Sequence, residues 1–160
     1  MPSRTISGWD PGGTTGYFIG TVDLTSNTGF QVLESGIIPW AVRFSRIRSL
    51  LDRYRPSTSV VESFRLYKEK AQDQIGSEFP SSQVIGIIGA YCFMSGLAQP
   101  VFQPAAVIAG RPPVLVLPEH VNALYKGLAI EMEHSNDAYK HARYWIEQQR
   151  HRTHVQKGML

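Results

Sequence analysis

Four residues in this chain are of types and spacings that could do chemistry together: Asp10, Glu62, His134 and Asp137. Asp10 follows the strand-like stretch 5–9 and is succeeded at once by Pro11, Gly12 and Gly13. Proline cannot continue a central ladder and glycines can take positive φ, so a sharp turn is expected here. It would leave a carboxylate at a strand end, beside bare backbone that a phosphate or metal can approach. Glu62 closes a short apolar stretch, SVVE over 59–62. If the two strands are parallel neighbours, both carboxylates emerge at one sheet edge. His134 and Asp137 are three residues apart, which places them on one face of a helix. Two strand-end carboxylates and a His/Asp pair make a site for a hard divalent cation. Oxygen ligands suit Mg²⁺, and the imidazole extends the tolerance to Mn²⁺.

Each of the four has a plainer explanation. Asp-Pro-Gly is a common turn sequence in its own right. Glu62 could simply mark a strand end, and Asp137 could be an early helix residue favoured by the helix dipole. His134 alone would be an ordinary surface or core histidine. His141, one turn beyond Asp137, is read as a helix-surface residue, with support of the neighbouring acid as the alternative.

The elements that must position these residues follow from patterning. Residues 16–22 (GYFIGTV) are expected to return antiparallel to the first strand, and 30–38 to form a third strand ended by Pro39. Residues 40–54 read as an amphipathic helix, with Val42, Ile47, Leu50, Leu51 and Tyr54 on one side and Pro56 as its stop. Strand 59–62 follows, then a polar loop over 64–80. A second helix over 81–96 is expected to be capped by its opening serines. Its middle is apolar nearly all round, with Gly86, Gly89 and Ala90 forming a small-residue face, so it calls for a second cover, such as a partner subunit. A short strand over 101–103, a short helix over 119–126 and a last helix over 136–150 complete the order. Strand–helix–strand alternation requires parallel pairing. The expected fold class is α/β: a five-stranded mixed sheet with helices on both faces.

Composition bounds the alternatives. A chain of 160 residues, 42% hydrophobic and 18% charged, suits one folded domain, here residues 1–150 followed by a basic tail over 151–160. The single cysteine, Cys92, lies in an apolar run and reads as a buried hydrophobe rather than a nucleophile. Without paired Cys/His spacing, a structural zinc is not expected. No signal core or membrane-length apolar run is present, so the expected location is cytoplasmic, in a bacterial cell or a phage-infected host. The net charge of +3 is modest, but basic residues cluster at 43–55, 65–70 and 140–157. That distribution permits a polyanionic partner.

Taken in order, GWDPGGTTGY, VVESF and HSNDAYKHARYW resemble the RuvC type of Holliday-junction resolvase, within the RNase H-like nuclease superfamily. The likeness spans about residues 5–146 and extends to Gln83-x-x-Gly86 and Gln103-Pro104. It implies an RNase H-like fold and a catalytic, metal-binding set of Asp10, Glu62, His134 and Asp137, holding two Mg²⁺ or Mn²⁺ ions. It implies paired hydrolysis of four-way DNA junctions by a homodimer joined through helix 82–96. Phe64 or Tyr67 would wedge between bases, with Arg65, Lys68 and Lys70 beside them on phosphates. Family members often carry a lysine shortly after the fifth strand, where this chain has Ala105-Ala106-Val107-Ile108; Arg111 or Lys126 would then supply the cation. A broader flap or fork nuclease and a non-catalytic junction binder are the alternatives. An ATPase relative, with Asp10, Gly12 and Thr14 on ATP phosphates, would need a much longer chain.

Overall fold

Alternation along the first strand decides which chemistry faces which helix. The computed structural model describes residues 3–25, 30–64, 78–111 and 129–158. Strand β1 (Arg4–Asp10) pairs antiparallel with β2 (Thr14–Val22), and β2 pairs antiparallel with β3 (Phe30–Pro39). On its other side β1 runs parallel to β4 (Thr58–Ser63), which runs parallel to β5 (Val101–Pro104). The sheet order is β3-β2-β1-β4-β5, mixed and five-stranded as the patterning requires.

Successive side chains of a strand point to opposite faces. Trp9, Tyr17, Ile19, Ile38 and Val61 form one core with Ile47, Leu50 and Leu51 of α1 (Arg43–Tyr54) and Val84, Ile88 and Cys92 of α2 (Pro80–Met94). Ile6, Phe18, Val22 and Val60 form the other with Ala138, Tyr139, Ala142 and Ile146 of α3 (Ala129–Gly158). Asp10 and Glu62 share the parity of Ile6 and Val60, so both lie on the α3 face. On the opposite face, Glu34 of β3 fastens α1. It accepts hydrogen bonds from Tyr17 (2.9 Å), Tyr54 (2.7 Å) and Arg46 (2.5 Å). Burial raises the Glu34 pKa, but these hydroxyls and the Arg46 and Arg53 charges outweigh it and hold the carboxyl below its usual range. Cys92 is buried, and burial pushes its thiol up, as suits a packing residue.

Several local expectations are corrected. The turn after Asp10 uses no positive φ at Gly12 or Gly13; among the described glycines that conformation occurs at Gly96 and Gly110. Val42 lies in a 3₁₀ turn (Trp40–Val42) ahead of α1 and is exposed, not on the core stripe. Arg55 ends α1 with φ of 40°, donating its N–H to Leu51. No serine caps α2: Phe79 is its cap residue, without a side-chain bond, and Pro80 opens the first turn, where its missing N–H costs nothing. The last helix begins at Ala129 rather than 136 and continues through the expected tail to Gly158. The expected helix over 119–126 lies outside the described residues.

The α3 backbone comes unusually close to the sheet. A methyl group built on Gly8 would sit 2.1 Å from the Ala138 carbonyl oxygen, and one on Gly16 would sit 1.9 Å from that of His134. Both clashes are with backbone, which cannot rotate away. Gly8→Ala and Gly16→Ala should therefore each cost about 1–3 kcal/mol or displace α3, read by urea unfolding. Gly13→Ala, with open space around it, should change stability by less than about 0.5 kcal/mol.

Candidate active site

The end of β1, the end of β4 and one face of α3 enclose a cleft of about 500 Å³. Its walls include Asp10, Glu62, Glu133, His134, Asp137 and Lys140. Register explains the first two. Trp9 pairs with Val61 across the parallel β1–β4 ladder, so the next residues, Asp10 at the end of β1 and Glu62 one residue short of the end of β4, lie side by side. Helical spacing explains the others, since 133, 134, 137, 140 and 141 repeat every three or four residues. All four acidic and imidazole groups expected at the site, Asp10, Glu62, His134 and Asp137, line this one cleft.

Asp10, Asp137 and Glu62 each have their own basic partner. His134 donates from Nδ1 to Asp10 Oδ2 (2.5 Å). Lys140 donates from Nζ to Asp137 Oδ1 (2.7 Å). His141 donates from Nε2 to Glu62 Oε2 (2.8 Å), and its Nδ1 lies 3.0 Å from Gln103 Oε1. His141 is thus not a helix-surface residue: it is 0% exposed, sealed between α3 and the sheet. The spacing of 137, 140 and 141 is legible in the sequence, but which carboxylate each basic side chain meets is set by the packing of α3 on the sheet. Glu133 lies ahead of a helix read as starting at 136.

Burial dominates the electrostatics at Asp10 and pushes its pKa up to about 6. The His134 hydrogen bond opposes this, while the Glu62 and Asp137 charges add to it. Ionised Asp10 therefore sits in a place that disfavours negative charge, a cost that a bound cation would relieve. Three carboxylates and an imidazole are also the donor set that Mg²⁺ or Mn²⁺ takes. Among the described residues, no three His, Cys, Asp or Glu side chains are gathered closely enough to hold a metal as they stand. The residues fit the ion chemically, and closing on it would mean exchanging His134 and Lys140 contacts for metal contacts.

Other expected site residues are placed differently. Arg111 does not line the cleft; it donates to Glu147 Oε2 (2.8 Å) and lies over the Tyr144 ring. Phe64 is half exposed just beyond β4, its ring 5.4 Å from that of Phe79. Arg65, Tyr67, Lys68, Lys70 and Lys126 lie outside the described residues. A separate concavity of about 630 Å³ on α1 holds a single carboxylate, Asp52, and no convergent set.

No protein-family model matches the sequence, and no curated protein sequence is significantly similar to it. The fold has clear counterparts among solved structures. RuvC of T. thermophilus, in complex with a Holliday junction substrate, matches with a TM-score of 0.61 and 18% identity, over 91% of this chain and 96% of that one. The fowlpox virus Holliday junction resolvase matches with a TM-score of 0.61 and 18% identity, over 90% and 98% of the respective chains. The yeast mitochondrial Holliday junction resolvase gives 0.59 and 12% identity, over 99% and 85%. The chain therefore has an α/β fold of the RNase H-like kind. Its fold is that of the RuvC-type Holliday junction resolvases.

The raised Asp10 pKa sets a pH dependence. Its ordinary value of 3.8 applies to the unfolded chain, so between about pH 4 and 6 the folded state binds more protons. Stability from this group is present below pH 4 and is lost as pH rises through 6. In metal-free buffer at pH 7.5, Asp10→Asn should unfold at higher urea than wild type, by up to about 3 kcal/mol. The difference should vanish near pH 3.5.

Proposed function

We propose that this protein is a divalent-metal-dependent endodeoxyribonuclease that cleaves branched DNA, with four-way junctions as its preferred substrate. One observation carries the proposal. Asp10 and Glu62, 52 residues apart, lie at the same end of neighbouring parallel strands and line one cleft with His134 and Asp137, in a fold shared with three Holliday junction resolvases. Among the described residues no helix is long and apolar enough to cross a membrane.

In this reading Asp10, Glu62, His134 and Asp137 hold the metal. When bound, the ion supplies an activated water and Lewis-acid stabilisation of the phosphate. Water oxygen attacks phosphorus, the bond to the 3′ oxygen breaks, and that oxygen leaves as a hydroxyl after taking a proton. The chain's own residues set the stage for this step. The carboxylates keep their fixed strand-end places, and the bare backbone of Gly12 and Gly13 leaves room for the DNA strand. Lys140 is the cation lining the cleft among its described residues, and it takes the phosphate contact that the stretch after β5 lacks. Arg111 is not among the residues lining the cleft; it pairs with Glu147 and lies over the Tyr144 ring.

Paired cutting needs two sites, which a homodimer provides. The exposed C-terminal end of α2 suits that contact: Phe93 is 78% and Met94 70% exposed in the single chain. Phe93→Glu should leave the fold intact and shift the protein from dimer to monomer by analytical ultracentrifugation.

The decisive assay offers labelled four-way junction, fork, flap and linear duplex with Mg²⁺, Mn²⁺ or chelator. Symmetric nicks in the junction, abolished by chelator, are expected. Asp10→Asn and Asp137→Asn should each slow cutting by at least about 10²- to 10³-fold, and Lys140→Ala by about 10- to 100-fold with junction binding retained. Equal cutting of forks and flaps would mark a broader branched-DNA nuclease. No cutting of any branch would leave a junction-binding protein.

A further inference from the structure

His141 is the one imidazole buried completely behind the cleft, and packing does not explain it. Its neighbours on the same face of α3, Ala138, Ala142 and Ile146, belong to an apolar cluster that a leucine or phenylalanine would extend. An imidazole buried there is costly unless both nitrogens are paired, and both are. On one side is a cleft carboxylate. On the other is a strand neighbour of that carboxylate, since Glu62 and Gln103 are directly paired in the parallel β4–β5 ladder. His141 therefore joins β4, β5 and α3 at a single point.

We propose that His141, braced by Gln103, is a positioning residue that holds the Glu62 carboxylate turned into the cleft; this rests on the nuclease reading above. The chemistry of the contact fits the role. An ionised carboxylate only accepts, so Nε2 carries the proton that faces Glu62. The Gln103 amide can offer either its oxygen or its NH₂ to Nδ1 by turning over, so the imidazole stays paired. The bond uses Oε2 and leaves Oε1 to the cleft. His134 and Lys140 reach their carboxylates from the cleft side and would yield to a metal or phosphate. His141 is sealed beneath the helix and cannot be displaced by either, nor can water replace it. It acts through Glu62 and touches neither substrate nor metal.

The test uses full-length wild type, His141→Phe, His141→Gln and Gln103→Leu. Three quantities are measured: Mn²⁺ affinity without DNA, by water-proton relaxation; junction affinity without metal; and the cleavage rate at saturating enzyme. Loss of an outer partner of a metal ligand typically costs 10- to 100-fold in metal affinity or activity. His141→Phe should weaken Mn²⁺ binding by about tenfold and slow cleavage by about 10- to 100-fold, with junction affinity unchanged. His141→Gln, whose amide NH₂ can still donate to Glu62, should recover most of both, and this rescue covers the case in which the phenylalanine variant fails to fold. Gln103→Leu should have a smaller effect that disappears in the His141→Phe background. A folded His141→Phe with wild-type Mn²⁺ affinity and cleavage rate would overturn the proposal, as would His141→Gln no better than the phenylalanine variant. A wild-type protein that binds Mn²⁺ but cuts no branched DNA would overturn the nuclease reading alone, and the Mn²⁺ affinities would then decide the role of His141.

Discussion

The contact between the α3 backbone and the β1–β2 hairpin is the constraint on which the rest of this structure depends. Gly8 and Gly16 offer no side chains on that face, and Ala138 and Ala142 offer small ones, so helix and sheet meet backbone to backbone. Only at that separation can side chains as short as Asp10 and His134 meet across the gap. A larger residue at either glycine would lift the helix, and with it His134, Asp137 and His141 together. The close approach sets the geometry of the whole site, although neither glycine carries any chemistry.

Within that geometry the site is a balance of unfavourable charges. Asp10, Glu62 and Asp137 converge at one cleft, and each of these three is met by a basic side chain of α3. The three contacts differ in kind. His134 and Lys140 stand at the cleft, where an arriving cation or phosphate can take over their roles. His141 lies behind, where nothing can. The remaining imbalance shows at Asp10, whose burial among like charges keeps its ionised form costly. In the proposed reading, a cation bound in the cleft would relieve that cost.

Much of the scaffold is legible from local sequence alone. Alternation along β1 and β4, the proline stops at 39 and 56 and the apolar spacing of α1 are short-range signals, and a mixed five-stranded sheet followed from the parallel pairing they demand. Asp10 and Glu62 could be placed together for the same reason: a strand's end and its side-chain parity are local properties. The errors also have a local cause. The serines before α2 suggested a cap that Pro80 made unnecessary, and Gly12-Gly13 suggested positive φ that the turn does not use. The polar stretch over 129–135 and the basic end of α3 lack a strong apolar stripe, so the helix was read as starting late and stopping early.

The chain's own sequence determined the order of the described strands and helices, the mixed sheet and the convergence of Asp10, Glu62, His134 and Asp137, because each of these is set by periodicity, turn chemistry or residue type. Tertiary structure alone decided how those residues are partnered. Whether Asp137 meets Lys140, whether Arg111 is committed to Glu147, and whether His141 faces water or Glu62 depend on the rotation and depth of α3 against the sheet. That rotation is fixed by packing between segments more than 100 residues apart, such as Gly8 and Ala138, and no local pattern records it.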